Sequence, residues 1–394
     1  MPNFSGMATT FDIPNYGGEL FLITPTDTPL LRAMGGLQQN GADLLVNSTE
    51  YTWQTEDLAV PQQPGVLEGA NASFSERTRA NFSNVVQIFQ YGVSVTYTKL
   101  AANQQLAAIS PDANPVQNEL DHQINLKLIT AARDINYTFL NGVYNKPSDN
   151  TTPRKTRGLN SAITTAALDV QAAGQAFTVA ASNDTFTANA HGYVNGQQVR
   201  LSGLTGANGV AASTIYYVIN AATNTFKLAA TSGGAAIDVT VDGSGTVKAA
   251  TALAKASIDA MLDTVWTARG INQDMEPTLI VNSFQKRMLT KIYITDANYR
   301  EITRDVGGVS VQTIETDFGT LNILMDRAQP SDVLTFTHLQ LLKPKFLLIP
   351  QKGFLFVEPL SKSGASENYQ LYGEVGLEYG DEGQHGKITG LTTA

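Results

Sequence analysis

The chain contains no cysteine, and that absence removes disulfides, thiolate catalysis and cysteine-ligated zinc from consideration. Charge is scarce: Asp, Glu, Lys and Arg make up 15% of the residues, where about a quarter is ordinary. Histidine is scarcer still, and His122, His191, His338 and His385 are scattered, with no two placed a helical turn apart as paired metal ligands would be. No basic residue precedes Arg32 and no apolar run opens the chain, so a signal peptide is not expected. No apolar stretch approaches a membrane span, and without secretion the Asn-X-Ser/Thr triplets at Asn47 and Asn183 carry no meaning. The expectation is synthesis in a cytoplasm, with no membrane partner.

Catalytic signatures are missing too. There is no nucleophile elbow and no HExxH. GDEGQHGKIT (380–389) resembles a phosphate-binding loop, but its first Gly is misplaced by one and Ile388 stands where a metal-binding hydroxyl belongs. DGSGTV (242–247) lacks the third Gly of a dinucleotide fingerprint. The reading is of a non-enzyme, with no catalytic residue, no cofactor and no metal site.

What is present is a chain of 394 residues, long enough for two or three modules, with 42% hydrophobic residues and abundant Gly, Ala, Thr, Asn and Ser. So few surface charges suit a protein whose neighbours cover much of it. A net charge of −9 argues against a dedicated nucleic-acid binder, because no global field attracts phosphates.

The longest helical pattern runs over 112–141, where Leu120, Ile124, Leu128, Ala131, Ile135 and Phe139 fall on one stripe. Asp112 can cap its start, Pro115 fits its first turn, and Gly142 stands where a left-handed end residue is wanted. At 1.5 Å per residue this is a beam roughly 45 Å long. Before it, Thr28 and Pro29 open a short helix through LLRAM, and 46–98 has the composition of a long β-hairpin. Tyr51 and Trp53 alternate on its outgoing side, and Val93, Val95 and Tyr97 on its return.

The hairpin's tip, 61–83, holds only Val66, Leu67, Phe74 and Phe82 as large apolar groups, too few to order a ribbon alone. A neighbouring copy of the same chain is the expected support. Glu68, Glu76, Arg77 and Arg79 give the tip charges of both signs and are the candidate intersubunit contacts. Arg154, Lys155 and Arg157 are expected in a solvated loop or in salt bridges to the next subunit, with phosphate contact the lesser alternative.

From 169 to 250 the character changes to short strands such as QAFTVAA, TFTANA, STIYYVI and NTFKLAA divided by Gly, Asn and Asp turns, the pattern of a small β-barrel or sandwich inserted into a host. The host resumes with a helix over 257–269, using Ile258, Met261, Leu262 and Val265 and ended by Gly270. A buried strand at 278–282 follows, then a helix on Phe284, Met288 and Ile292, then further strands. The class is α+β.

The order TPTDTPLLRAMG, EYTWQTEDLA with VLEGA, LITAARDINYTFLNG, RGLNSAI, VQTIETDFGTLNILMDRAQPSD and YGEVGLEYGDEGQHGKITGL resembles the tailed-phage major capsid proteins with the Hong Kong ninety-seven capsid fold. That resemblance implies an N-terminal arm (1–46), an extended loop (47–98) and a peripheral domain (99–150 and 343–394) built on the spine helix 112–141. It further implies an axial domain (151–168 and 251–342), with the β-insertion at 169–250, itself similar to a β-module of phage structural proteins. The implied function is a coat protein whose pentamers and hexamers close an icosahedral shell around double-stranded DNA touched non-specifically. A virion location, assembly in the bacterial host's cytoplasm, a portal and possibly a decoration protein go with it. Many relatives carry an N-terminal scaffolding segment that a protease removes; the arm here is short, so a separate scaffolding protein is expected. The Lys, Asn and Glu of the namesake's covalent cross-link have no matching positions. A tail or surface-adhesion protein is the alternative, suggested by the β-insertion and the polar strands.

Overall fold

A computed structural model describes residues 22–37, 42–58, 61–71, 74, 76–101, 119–295, 302–306, 309–362 and 364–393. Mixed helix and sheet confirms the α+β class, with a seven-stranded sheet, a five-stranded sheet, a closed barrel and a two-stranded ribbon.

The strand Pro277–Val281 explains how the two larger sheets share one body. It is buried along its whole length, Thr278 included, as the apolar run Leu279–Val281 favours. Because side chains alternate, Leu279 and Val281 enter one core with Ile258, Met261, Leu262 and Val265, while Ile280 enters a second core with Ile135, Phe139, Phe346 and Leu377. It pairs parallel with Gly319–Met325 and antiparallel with Leu334–His338.

The helix Lys255–Arg269 uses the face expected of it and ends at Gly270, whose φ of 81° suits glycine. The next helix, Ser283–Thr295, is rotated by one residue from expectation: Gln285, Leu289 and Tyr293 are the buried stripe, while Met288 and Ile292 pack only partly. Gln285 is chosen for the interior because its amide donates to the carbonyls of Ser331 and Thr392, at 2.7 and 2.8 Å.

The long helix is described from Glu119 to Asn141; Asp112 and Pro115 lie outside the described residues. Its C-terminal half buries Ala131, Ile135, Phe139 and Leu140, whereas Leu120, Ile124 and Leu128 are only half-buried in the single chain. Gly142 is not left-handed, contrary to expectation. It is glycine because a Cβ there would meet the Thr138 and Thr156 carbonyl oxygens at 2.6 Å, where the chain returns past Gly158. The short helix Pro29–Ala33 docks on this end. Its Leu31 N–H donates to Asn136 Oδ1 at 2.9 Å, its Leu30 N–H to Asp326 at 3.2 Å, and Asn136 Nδ2 to the same carboxylate at 2.9 Å.

Strand pairing departs from the expected long hairpin. Glu50–Glu56 pairs with Arg79–Val85 as a ribbon, but Gln87–Thr96, which carries Val93 and Val95, pairs instead with the long strand Ser366–Glu378. Period-two alternation marks a strand without naming its partner, and here the longer strand buries Phe89, Val93 and Val95. Gly386–Thr389 likewise joins the seven-stranded sheet, so this C-terminal strand does not return to the five-stranded one.

Residues 175–249 supply all the strands of the closed barrel, around Phe177, Phe186, Val199, Val218, Phe226 and Val247. Both its ends meet one C-terminal segment: Asp169 lies beside Thr389, and Thr251 bridges Leu391. The barrel is seated by Arg200 on Asp332 at 2.6 Å, both mostly buried, and by Gln198, which exchanges hydrogen bonds with Thr393.

Candidate assembly surfaces

The ribbon is fixed at its root and bare at its tip. Asn84, fully buried, donates to the carbonyls of Leu377 (2.8 Å) and Arg157 (3.1 Å) and accepts from the N–H groups of Arg157 and Val85 (both 2.9 Å). Trp53 donates to the Gly380 carbonyl at 2.7 Å and sets its ring edge-on to Tyr379 at 5.0 Å. Its cross-strand partner is Phe82, at 6.4 Å. Lys146 reaches Glu50 at 2.7 Å and holds that carboxyl below its usual range.

Among the described residues between Glu56 and Arg79, no hydrogen bond or ion pair to the body of the subunit continues these supports. Leu58, Val66, Leu67 and Phe74 are 84%, 86%, 85% and 97% exposed. Water-exposed apolar groups are common singly, but four such side chains on one projecting loop mark an interaction surface.

Of the charged candidates, Glu68, Glu76 and Arg77 are exposed on the loop, while Arg79 begins the return strand and faces Glu56 at 3.4 Å. Both partners of that pair are half exposed or more, so it contributes little. The sequence singles out these charges as the candidate intersubunit contacts; the four bare apolar side chains are the stronger signal.

The basic cluster divides: Lys155 is exposed on the loop, whereas Arg154 and Arg157 are held within their own chain. Arg154 is neither in a solvated loop nor free to reach a neighbour: it pairs with Glu374 and donates to the Val86 carbonyl at 2.9 Å. Arg157 lies over the Tyr144 ring at 4.4 Å and contacts the Tyr379 hydroxyl at 3.2 Å.

Of the histidines, His191, His338 and His385 have structural partners, while His122 lies half-buried on the long helix. His191 Nδ1 accepts from the Tyr193 N–H at 2.9 Å, the turn role its sequence suggests. His385 is fully buried between the Thr337 hydroxyl (2.9 Å) and the Tyr379 carbonyl (2.6 Å), and burial pushes its pKa down to about 4. His338 is also depressed by burial, and its Nδ1 lies 2.8 Å from the Gln384 carbonyl. In the GDEGQHGKIT segment Glu382 accepts from the Thr164 and Thr165 N–H groups, at 2.8 and 3.1 Å, and Lys387 donates to the Asn160 carbonyl at 2.8 Å. Among the described residues no group of three or more His, Asp or Glu could hold a metal ion, and no helix is long and apolar enough to cross a membrane.

A family model described as SU10 major capsid protein matches residues 3–392. The chain belongs to that family. It is therefore a structural protein of a phage capsid, which assembles with copies of itself. Among solved structures, the capsid asymmetric unit of cyanophage A-1(L) superposes with a TM-score of 0.52 at 13% identity, over 98% of either chain. The holo-SrpI encapsulin complex from Synechococcus elongatus PCC 7942 gives 0.50 at 9% identity, over 97% of this chain and 93% of the other. At such identities these likenesses show the fold alone. No curated protein matches the sequence. Nothing in the matches supports the tail or surface-adhesion alternative.

Proposed function

We propose that this coat subunit forms pentamers and hexamers that close an icosahedral shell around double-stranded DNA, with the ribbon tip of each subunit, residues 57–78, clamping the next. The observation that carries the clamp is the contrast along one ribbon, between a root held by Asn84 and Trp53 and a tip bearing four bare apolar side chains. An association that repeats at every subunit needs little at each contact, and burying one Val, Leu or Phe side chain supplies about 1.5–3 kcal/mol.

In this reading residues 1–46 are an arm, and the extended loop is redrawn to 50–85, because 87–96 belongs to the five-stranded sheet. The long helix and the five-stranded sheet form the peripheral domain; 151–168 and 251–342, with the strand Gly386–Thr389, form the axial domain. Residues 169–250 are an inserted module on the outer face, where a body of this size disturbs neither contacts nor genome. The net charge of −9 keeps contact with packaged DNA loose and non-specific. A separate scaffolding protein, a portal and a decoration protein are its partners, assembly takes place in the bacterial cytoplasm, and the subunit performs no catalysis.

Replacing 58–77 with Asn-Gly between Asp57 and Thr78 keeps the Glu56–Arg79 pairing and supplies a two-residue hairpin turn. The trimmed subunit is expected to keep the native circular dichroism spectrum and to sediment as subunits or capsomers. Closed shells from it would remove the clamp from the account.

A further inference from the structure

We infer that the turn Val66–Leu67–Glu68 of one subunit seats in the groove beside the helix Pro29–Ala33 of the next. This rests on the clamp reading and gives the tip a receptor.

The donor side is preformed. The Leu67 carbonyl accepts from the Ala70 N–H at 3.0 Å, and Gly69 takes a φ of 81°, which few residues other than glycine adopt readily. The turn thus holds Val66 and Leu67 outward with the Glu68 carboxylate beside them, and little ordering is left for the moment of docking.

The receiving side is a groove of about 710 Å³ between that short helix and the strand Gly319–Met325. Its apolar lining includes Pro29, Ala33, Leu324, Met325 and Leu339, and Met325 is 49% exposed, more open than a core methionine should be. Methionine is well suited to such a wall because its unbranched chain repacks around an incoming group.

The charges match. Arg32 brings positive charge to the groove. Its acidic groups are Asp27, which Arg327 engages at 3.1 Å, and Glu276. Arg32 is exposed, on the same helix as Pro29, where the carboxylate of Glu68 arrives once Val66 and Leu67 are seated. Arginine can take a carboxylate through two parallel hydrogen bonds, so the pair also fixes how far the loop reaches. The groove floor is stiff, since the helix is tied to Asp326 and Asn136 of its own body.

The absence of cysteine makes the test free of background. Shells are assembled from a mixture of two full-length subunits of different tag length, one Leu67→Cys and the other Met325→Cys, and treated with a short bismaleimide. A cross-linked band of the mixed size is expected, with none from either subunit alone. Shells that form at normal yield without the mixed band overturn the groove while leaving the clamp standing, whereas closed shells from the tip-trimmed subunit overturn both. If either cysteine variant fails to assemble, charge reversal decides: Arg32→Glu is expected to lower shell yield at least tenfold and Glu68→Arg to restore it in the double variant. Failure of that rescue also overturns the groove.

Discussion

Asn84→Ala tests how the projecting ribbon is held. The substitution removes two donors to buried carbonyls and strands the N–H groups of Arg157 and Val85. A buried donor without a partner costs about 1–3 kcal/mol, while a carbonyl that loses one of its partners costs less, so a loss of about 3–5 kcal/mol is expected. The fluorescence of Trp53 isolates the site, because Trp266, the other tryptophan, lies 58% exposed on a separate helix and can be replaced by Phe. In urea unfolding of the unassembled Trp266→Phe subunit, Asn84→Ala should bring the Trp53 transition to lower denaturant and expose the Arg157 and Val85 amides to hydrogen exchange. A loss under about 1 kcal/mol, with both amides still protected, would refute the reasoning, since the hydrogen bonds would then be replaceable by water.

Gly158→Ala puts a Cβ 2.4 Å from the Gly142 nitrogen and 2.6 Å from the Thr138 carbonyl, both backbone, so thermal unfolding should show a loss of at least 2 kcal/mol or so. Arg200→Ala leaves Asp332 without its cation in a mostly buried site and should destabilise by about 3–5 kcal/mol, while the paired Arg200→Met, Asp332→Leu change should come close to neutral, as urea titration of the three variants will show. His385 has its folded pKa depressed to about 4, so the unfolded chain binds the proton first and stability falls as pH drops from about 6.5 to 4, by up to about 3 kcal/mol from this group. His385→Gln should flatten that part of the pH–stability curve, and an unchanged slope would place the effect elsewhere.

The parts legible in the sequence were those fixed by local pattern. Ile258, Met261, Leu262 and Val265 share a helical face in any context, and the apolar run 279–281, short and β-branched and preceded by Pro277, favours a strand buried on both sides. Partners were harder, because alternation at Val93 and Val95 is satisfied equally by a hairpin mate and by the distant strand Ser366–Glu378. The sequence pattern sets the stripe of Ser283–Thr295 one residue off, because Gln285 has the character of a surface residue until the carbonyls of Ser331 and Thr392 are brought to it. Arg154 looked solvent-bound for the same reason, with Glu374 far away in sequence. Leu128 is half-buried in the single chain, so the first half of the apolar stripe says less about the subunit's own core than the second. At the tip, composition alone marks Val66, Leu67 and Phe74 as apolar groups without support in their own chain; Leu58 joins them because the outgoing strand ends at Glu56.

A particle reconstruction, resolved well enough to trace the loop between Glu56 and Arg79, tests the central claim most directly. The account predicts that residues 57–78 cross a subunit boundary and that Leu67 and Phe74, bare in the single chain, are covered by the neighbouring subunit at every position in the shell. A loop folded back on its own subunit, or standing in solvent in closed particles, would contradict it.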